Sequence, residues 1–189
     1  LVPPRAPRWR LVVLAWLACL WPLAVRALPA DTLSGEGRFA LHTRWGQVIE
    51  GRFPEARGHV EVLADGRHRV HIRIDARQIQ LPGHPRYTTI TRGPGFFDAA
   101  THPWIEFVSE PYTEDVVTNG GIVPGELSIR GRGRPIRFLL APLECDAAGR
   151  CLSVAVGEVS RAVYGMDRWR MLLEDRVGFE LRMRTQGRP

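Results

Sequence analysis

Apolar and charged residues alternate with a period of two through most of this chain, and no other feature constrains its fold as strongly. Val70, Ile72 and Ile74 alternate with Arg69, His71, Arg73 and Asp75, giving one apolar and one charged face. Val177, Phe179, Leu181 and Met183 do the same near the C-terminus. The pattern recurs at Phe39 and Leu41, Ile49 and Phe53, Ile105 and Phe107, Leu127 and Ile129, Ile136 to Leu140, and Leu152, Val154 and Val156. Such segments predict half-buried antiparallel strands, eight or nine of them.

Turn chemistry separates the segments: Ala64-Asp65-Gly66, Asn119-Gly120-Gly121, Gly131 to Pro135, and Ala148-Gly149. Links this short make neighbouring strands antiparallel. The expected fold is therefore all-β. A sheet with one apolar face must pack on a second sheet or close on itself, and alternation alone leaves sandwich and barrel open. One stretch, Leu81 to Ala100, breaks the pattern: prolines and glycines bracket Arg86 to Arg92, which predicts a short helix or a lid-like crossover. In 189 residues this amounts to one core.

Residues 1–27 read as a secretory signal peptide. Arg5, Arg8 and Arg10 precede the apolar run Leu11 to Val25, and Val25-Arg26-Ala27 supplies a cleavage site after Ala27. The run, about 15 residues, falls short of the ~20 that span a bilayer as a helix, and Pro22 interrupts it, so no stable membrane span is expected after cleavage. A lipoprotein site at Cys19 fits poorly behind Trp16-Leu17-Ala18. The expected organisation is a leader at 1–27, a linker at 28–35 and a barrel domain at 36–186, with a periplasmic destination.

The chain has 26 basic residues, all arginine, against 20 acidic ones. Four of the arginines and no acid lie in the leader, so its removal lowers the net charge from +6 to +2. The basic balance thus gives no reason to expect a nucleic-acid partner. Cys19 leaves with the leader, and Cys145 and Cys151 remain, which in an exported protein read as a disulfide across a short loop.

Motifs for chemistry are thin. His68 and His71 are three apart on a strand and face opposite ways; His59 and His71 can meet across a hairpin among charged outward positions. No metal site is expected. No GxSxG elbow occurs, and Ser109, Ser128, Ser153 and Ser160 have no local base. Glu114-Asp115 and Glu174-Asp175 read as solvated pairs in turns, Gly93-Pro94-Gly95 opens no phosphate-binding helix, and Arg130 to Arg137 reads as a hairpin turn with exposed arginines. No catalytic constellation emerges, so an enzyme is not expected. What remains is the inward face, rich in Phe39, Phe53, Phe107, Phe138 and Phe179, with Trp45, Tyr164 and Met166 near its ends. Periodicity by itself favours a packed core over a cavity.

Several ordered segments resemble the YceI-like family of exported bacterial proteins: Phe39 to Gly46 with Val48 to Phe53, Ile74 to Ile79, Phe96 to Ser109 (FFDAATHPWIEFVS), Gly125 to Gly131 followed by Pro135, Ser160 to Met166, and Asp175 to Leu181. The likeness runs from about 36 to 184. It departs after Ile79, where a threonine-glycine pair typical of the family is missing, and in the cysteine loop. The resemblance implies an antiparallel eight-stranded, extended lipocalin-like barrel with a short helical excursion. It also implies an apolar cavity for an amphiphilic lipid, either an isoprenoid or a quinone-like molecule, with no other cofactor. Phe39, Trp45, Phe53, Phe97, Ile105, Phe107, Leu127, Ile129, Phe138, Tyr164, Met166 and Phe179 are the expected lining. Arg86, Arg92, Arg161 and Arg168 are the candidates to face a polar headgroup, since guanidinium forks suit phosphate oxygens. The likeness also allows a homodimer. Competing readings are a stress or redox-accessory protein acting through protein partners, and an enzyme whose site is not visible in the sequence.

Overall fold

Alternation becomes strand almost wherever it occurs in residues 31–185, the part of the chain that the computed structural model describes. The leader reading, with Cys19, lies outside the described residues. The strands are β1 (Asp31–Thr43), β2 (Val48–Val62), β3 (His68–Asp75), β4 (Trp104–Ser109), β5 (Gly121–Ile129), β6 (Arg132–Leu140), the two-residue β7 (Glu144–Cys145), β8 (Cys151–Ser160) and β9 (Leu173–Thr185). Their order is β6-β5-β4-β3-β2-β1-β9-β8, with every pairing antiparallel. β6 meets β8 through Leu139↔Val156 and Leu140↔Ala155, which closes an eight-stranded barrel. The closure is short: it joins two residue pairs, and the first part of β6 has β5 as its one strand partner. β1 begins at Asp31, within the stretch read as a linker, and Thr32 to Gly35 pair with β2.

Thr43 to Gln47, Leu63 to Arg67 and Asp146 to Arg150 are closed by backbone hydrogen bonds across each link. The β5–β6 link differs from the expected five-residue turn at Gly131 to Pro135. Only Arg130 and Gly131 turn, both at positive φ (54° and 67°), as a two-residue hairpin loop requires. Arg132 to Arg137 are strand, and Pro135 is accommodated because this stretch of β6 pairs with β5 alone.

A second correction concerns β8. Leu152, Val154 and Val156 were the expected inward set, yet β8 pairs with β9 through Ser153↔Met183, Ala155↔Leu181, Gly157↔Phe179 and Val159↔Val177. Paired residues share a face, so Ala155, Gly157 and Val159 point inward and Val154 and Val156 outward. Both phases of this strand are apolar, so alternation could not choose between them. Space does: a side chain at Gly157 would put its Cβ 2.7 Å from the ring of Phe138.

The break in the pattern holds helix α1 (Pro85–Arg92), with proline in the first helical turn, and a 3-10 turn (Ala76–Gln78) precedes it. A second short helix, α2 (Glu114–Asn119), was not expected; Glu114 and Asp115 occupy its first turn, where acids suit the positive end of the helix. The connections 44–47, 76–103, 130–131 and 161–172 gather at one end of the barrel, and 63–67, 110–120 and 141–150 at the other. Cys145 and Cys151 are joined by a disulfide at this second end.

Candidate ligand cavity

The interior is divided. From β3 to β6, Ile105, Phe107, Leu127, Ile129 and Phe138 interlock in a solid core, with Phe107 and Phe138 edge to face at 5.0 Å. Phe53 is fully buried and touches Phe39, Phe97 and Phe179 at ring-centroid distances of 5.7, 5.7 and 6.3 Å. These three rings form the floor of a cavity of about 860 Å³. Its walls come from β8, β9, β1 and β2, through Val159, Val177, Leu41 and Ile49, and from the excursion, through Leu81, Tyr87, Ile90, Thr91 and Phe96. It opens at the barrel end that carries Trp45, Val48, Trp169 and Leu172.

Of the expected lining, Phe39, Trp45, Phe97, Met166 and Phe179 border this space. Phe53, Ile105, Phe107, Leu127, Ile129, Phe138 and Tyr164 do not; they pack beneath or beside it. The strand residues among them face inward as strand phase required, and Tyr164 is buried from a 3-10 turn, but facing inward is shared by cavity and core. The sequence reading missed Leu41, Val159 and Val177, which keep the same phase as Phe39 and Phe179. It also missed the α1 face, whose signal was the helical spacing of Tyr87, Ile90 and Thr91.

Among the four candidate headgroup arginines, Arg161 alone lines the cavity. It is 3% exposed, and its guanidinium donates to the carbonyls of Glu174 (2.9 Å), Met166 (2.8 Å), Arg168 (3.3 Å) and Leu173 (3.5 Å). Burial pulls its pKa below the ordinary arginine value, against the opposing pull of Asp175 and Asp167. Among the described residues no carboxylate lies within ion-pair distance of it. The group therefore holds the 161–173 loop in place and sets a positive charge in the cavity wall. Arg92 donates to the Ile79 carbonyl at 2.8 and 3.1 Å, Arg168 lies across Gly95, and Arg86 is exposed on α1.

Outside the cavity, His59 and His71 do meet, stacked at 4.7 Å on the outer wall. Among the described residues no group of three or more His, Cys, Asp or Glu side chains is arranged to hold a metal, and no helix is long and apolar enough to cross a membrane.

The sequence that builds this barrel matches a known domain: the model for the YceI-like domain covers residues 34–185. The chain belongs to the YceI-like family. Similar solved structures include Burkholderia cenocepacia BcnA, with a TM-score of 0.66 at 20% identity over 79% of this chain and 96% of that one. A polyisoprenoid binding domain from Saccharophagus degradans, implicated in plant cell wall breakdown, gives a TM-score of 0.66 at 13% identity over 84% of this chain and 99% of that one. The Campylobacter jejuni YCEI protein gives 0.61 at 13% identity over 75% and 86%. At such identities the likeness carries the YceI-like fold and leaves the lining residues to each chain. No curated protein sequence matches this YceI-like chain at a significant level.

Proposed function

We propose that this YceI-like barrel binds the apolar tail of an amphiphilic lipid, an isoprenoid or quinone-like molecule, and carries or sequesters it in the periplasm. The observation that carries the reading is the cavity of about 860 Å³ walled by phenylalanine and aliphatic side chains and open at one end. That size falls within the ~300–1,000 Å³ of small-molecule pockets. Each methylene taken out of water contributes ~0.8 kcal/mol, so a long tail needs no metal or reactive group to be held. Arg161 in the wall suits an electron-rich headgroup, and the polyisoprenoid-binding relative supports a tail of that class. The leader-like segment and the Cys145–Cys151 disulfide favour an oxidising compartment outside the cytoplasm.

Native mass spectrometry of gently purified protein tests the reading. The expected result is a bound species of several hundred daltons, roughly the size of a drug-sized or larger ligand, that organic extraction removes and added prenylquinone restores. Protein that carries nothing as purified and takes up no prenylated or acyl probe would overturn it.

A further inference from the structure

The cavity mouth is more apolar and more basic than a solvent-facing rim needs to be. Trp45 and Val48 from the β1–β2 turn, Tyr87 and Ile90 from α1, and Trp169 and Leu172 from the β8–β9 loop are all exposed, and all border the opening. Met171 stands beside them at 82% exposure without lining the cavity. Half of the exposed large apolar side chains among the described residues thus crowd one end of the barrel. A contiguous patch of this kind marks an interaction surface, and tryptophan and tyrosine are the residues that sit at a membrane–water boundary.

Charge divides along the same axis. The four connections at the mouth end carry eight arginines and two aspartates; the three at the opposite end carry six carboxylates and two arginines. Among the described residues Arg44, Arg86, Arg168 and Arg170 at the mouth are in no ion pair, whereas Arg38, Arg57, Arg73 and Arg176 on the barrel wall all are. The acids near the opening are Glu50, Asp75, Asp98, Asp167, Glu174 and Asp175, fewer than the eight arginines of the connections, so the end keeps a net positive charge. Such a dipole orients the molecule before contact, and guanidiniums are drawn to an anionic leaflet.

We infer that the mouth docks reversibly on the surface of a bilayer containing anionic phospholipid, with the rim aromatics entering the headgroup layer and the cavity opening onto the acyl chains. The inference rests on the lipid-carrier reading and adds where loading takes place. Contact is peripheral: the rim supplies one apolar patch and a positive ring, and the binding strength combines buried apolar area with electrostatic attraction.

The test is co-sedimentation of a chain of residues 28–189, which contains the whole barrel, with vesicles of phosphatidylcholine alone or mixed with phosphatidylglycerol. The expected result is binding to the mixed vesicles that high salt releases, with a blue shift of tryptophan emission. Met171→Glu and Arg170→Glu, neither of which lines the cavity, should each weaken that binding roughly tenfold or more. Val62→Glu, on the acidic end, should not. Binding that is absent, equal on both vesicle types, or equal in wild type and both mouth variants overturns the inference. Prenylquinone retention measured on the same samples separates the two readings. Retained quinone without vesicle binding removes the docking alone, and vesicle binding without quinone uptake removes the carrier reading alone.

Discussion

Gly51 and Phe39 are paired across β1 and β2, and the phenyl ring occupies the volume that a side chain at Gly51 would need: a Cβ there would stand 2.0 Å from Phe39 Cζ. The ring lies flat over the strand because glycine lets it, and in that position it forms part of the cavity floor. Gly51→Ala drives the ring off the strand and into the empty space. We expect a loss of ~1–3 kcal/mol in urea melts, the usual cost of overpacking, together with weaker uptake of a prenylquinone. An alanine variant with unchanged uptake would show that the floor does not limit the ligand.

Phe107 and Phe97 face the same interior but differ in what surrounds them. Phe107 sits in the solid half and Phe97 borders the cavity. Phe107→Ala should cost ~3–5 kcal/mol with little effect on ligand retention in the molecules that stay folded. Phe97→Ala, whose ring already faces open space on one side, should cost less and change retention more. Arg73→Glu is the surface comparison: it breaks an exposed pair with Glu106 and a contact over Trp104, so ~1 kcal/mol is the upper expectation. Paired melts and native mass spectra separate the three outcomes.

Arg161 holds two backbone carbonyls of the loop beside the cavity, those of Met166 and Arg168, and two at the start of β9, those of Leu173 and Glu174. Arg161→Met leaves those carbonyls without their donor, an expected cost of ~2–5 kcal/mol. Lysine keeps the charge but not the planar fork, so Arg161→Lys should recover only part of the loss. Hydrogen exchange over 161–174 should rise in both variants, more in the methionine one, with the β3–β6 half unaffected.

The Asp175 carboxyl anchors the same loop. Burial works to raise its pKa, but a hydrogen bond from Ser160, the Ala162 N–H at 2.9 Å and the nearby Arg161 and Arg176 outweigh it and hold the carboxyl below its ordinary range. A folded value below the unfolded ~3.9 means the contribution is complete above that pH and fades as the pH falls through the folded value. Acid should therefore weaken the hold of β9 on the 161–172 loop. Asp175→Asn should be less stable than wild type at neutral pH, and its stability should fall less steeply below pH ~4. Parallel curves for the two proteins in acid urea melts would exclude this role.

How far the sequence carried the reading depends on what each residue's position decides. Strand phase is local, so Phe39, Phe107 and Phe179 could be assigned inward from their own neighbours. Whether an inward ring meets another ring or a void is not local: Phe107 finds Phe138 two strands later in the sequence, while Phe179 faces the space under α1. On β8 even phase failed, because Leu152, Val154 and Val156 compete with Ala155 and Val159 for the inside, and only the bulk of Phe138 opposite Gly157 decides. Arg161 was readable as a charge near the end of a strand. Its burial was not, because two of the carbonyls that make burial tolerable, those of Met166 and Arg168, come from a loop whose path no pattern marks.

The Cys145–Cys151 disulfide lies at the acidic end, far along the strands from the mouth, and it bridges adjacent partners of the short β7–β8 pairing. Its loop is small, so the chain entropy it removes from the unfolded state is limited, and the expected contribution is ~2 kcal/mol. Asp146 already orders the loop without it. Its carboxylate accepts the N–H groups of Ala148 and Arg150 at 3.0 and 2.9 Å and pairs with the Arg150 guanidinium at 2.8 Å. Cys145→Ser with Cys151→Ser should therefore lower the melting midpoint by a few degrees while leaving quinone retention and vesicle binding as in wild type, because neither the cavity nor the rim includes this hairpin. A double serine variant that loses its ligand would mean that the two ends of the barrel are coupled through β8 and β9, the strands that run from the disulfide to the mouth.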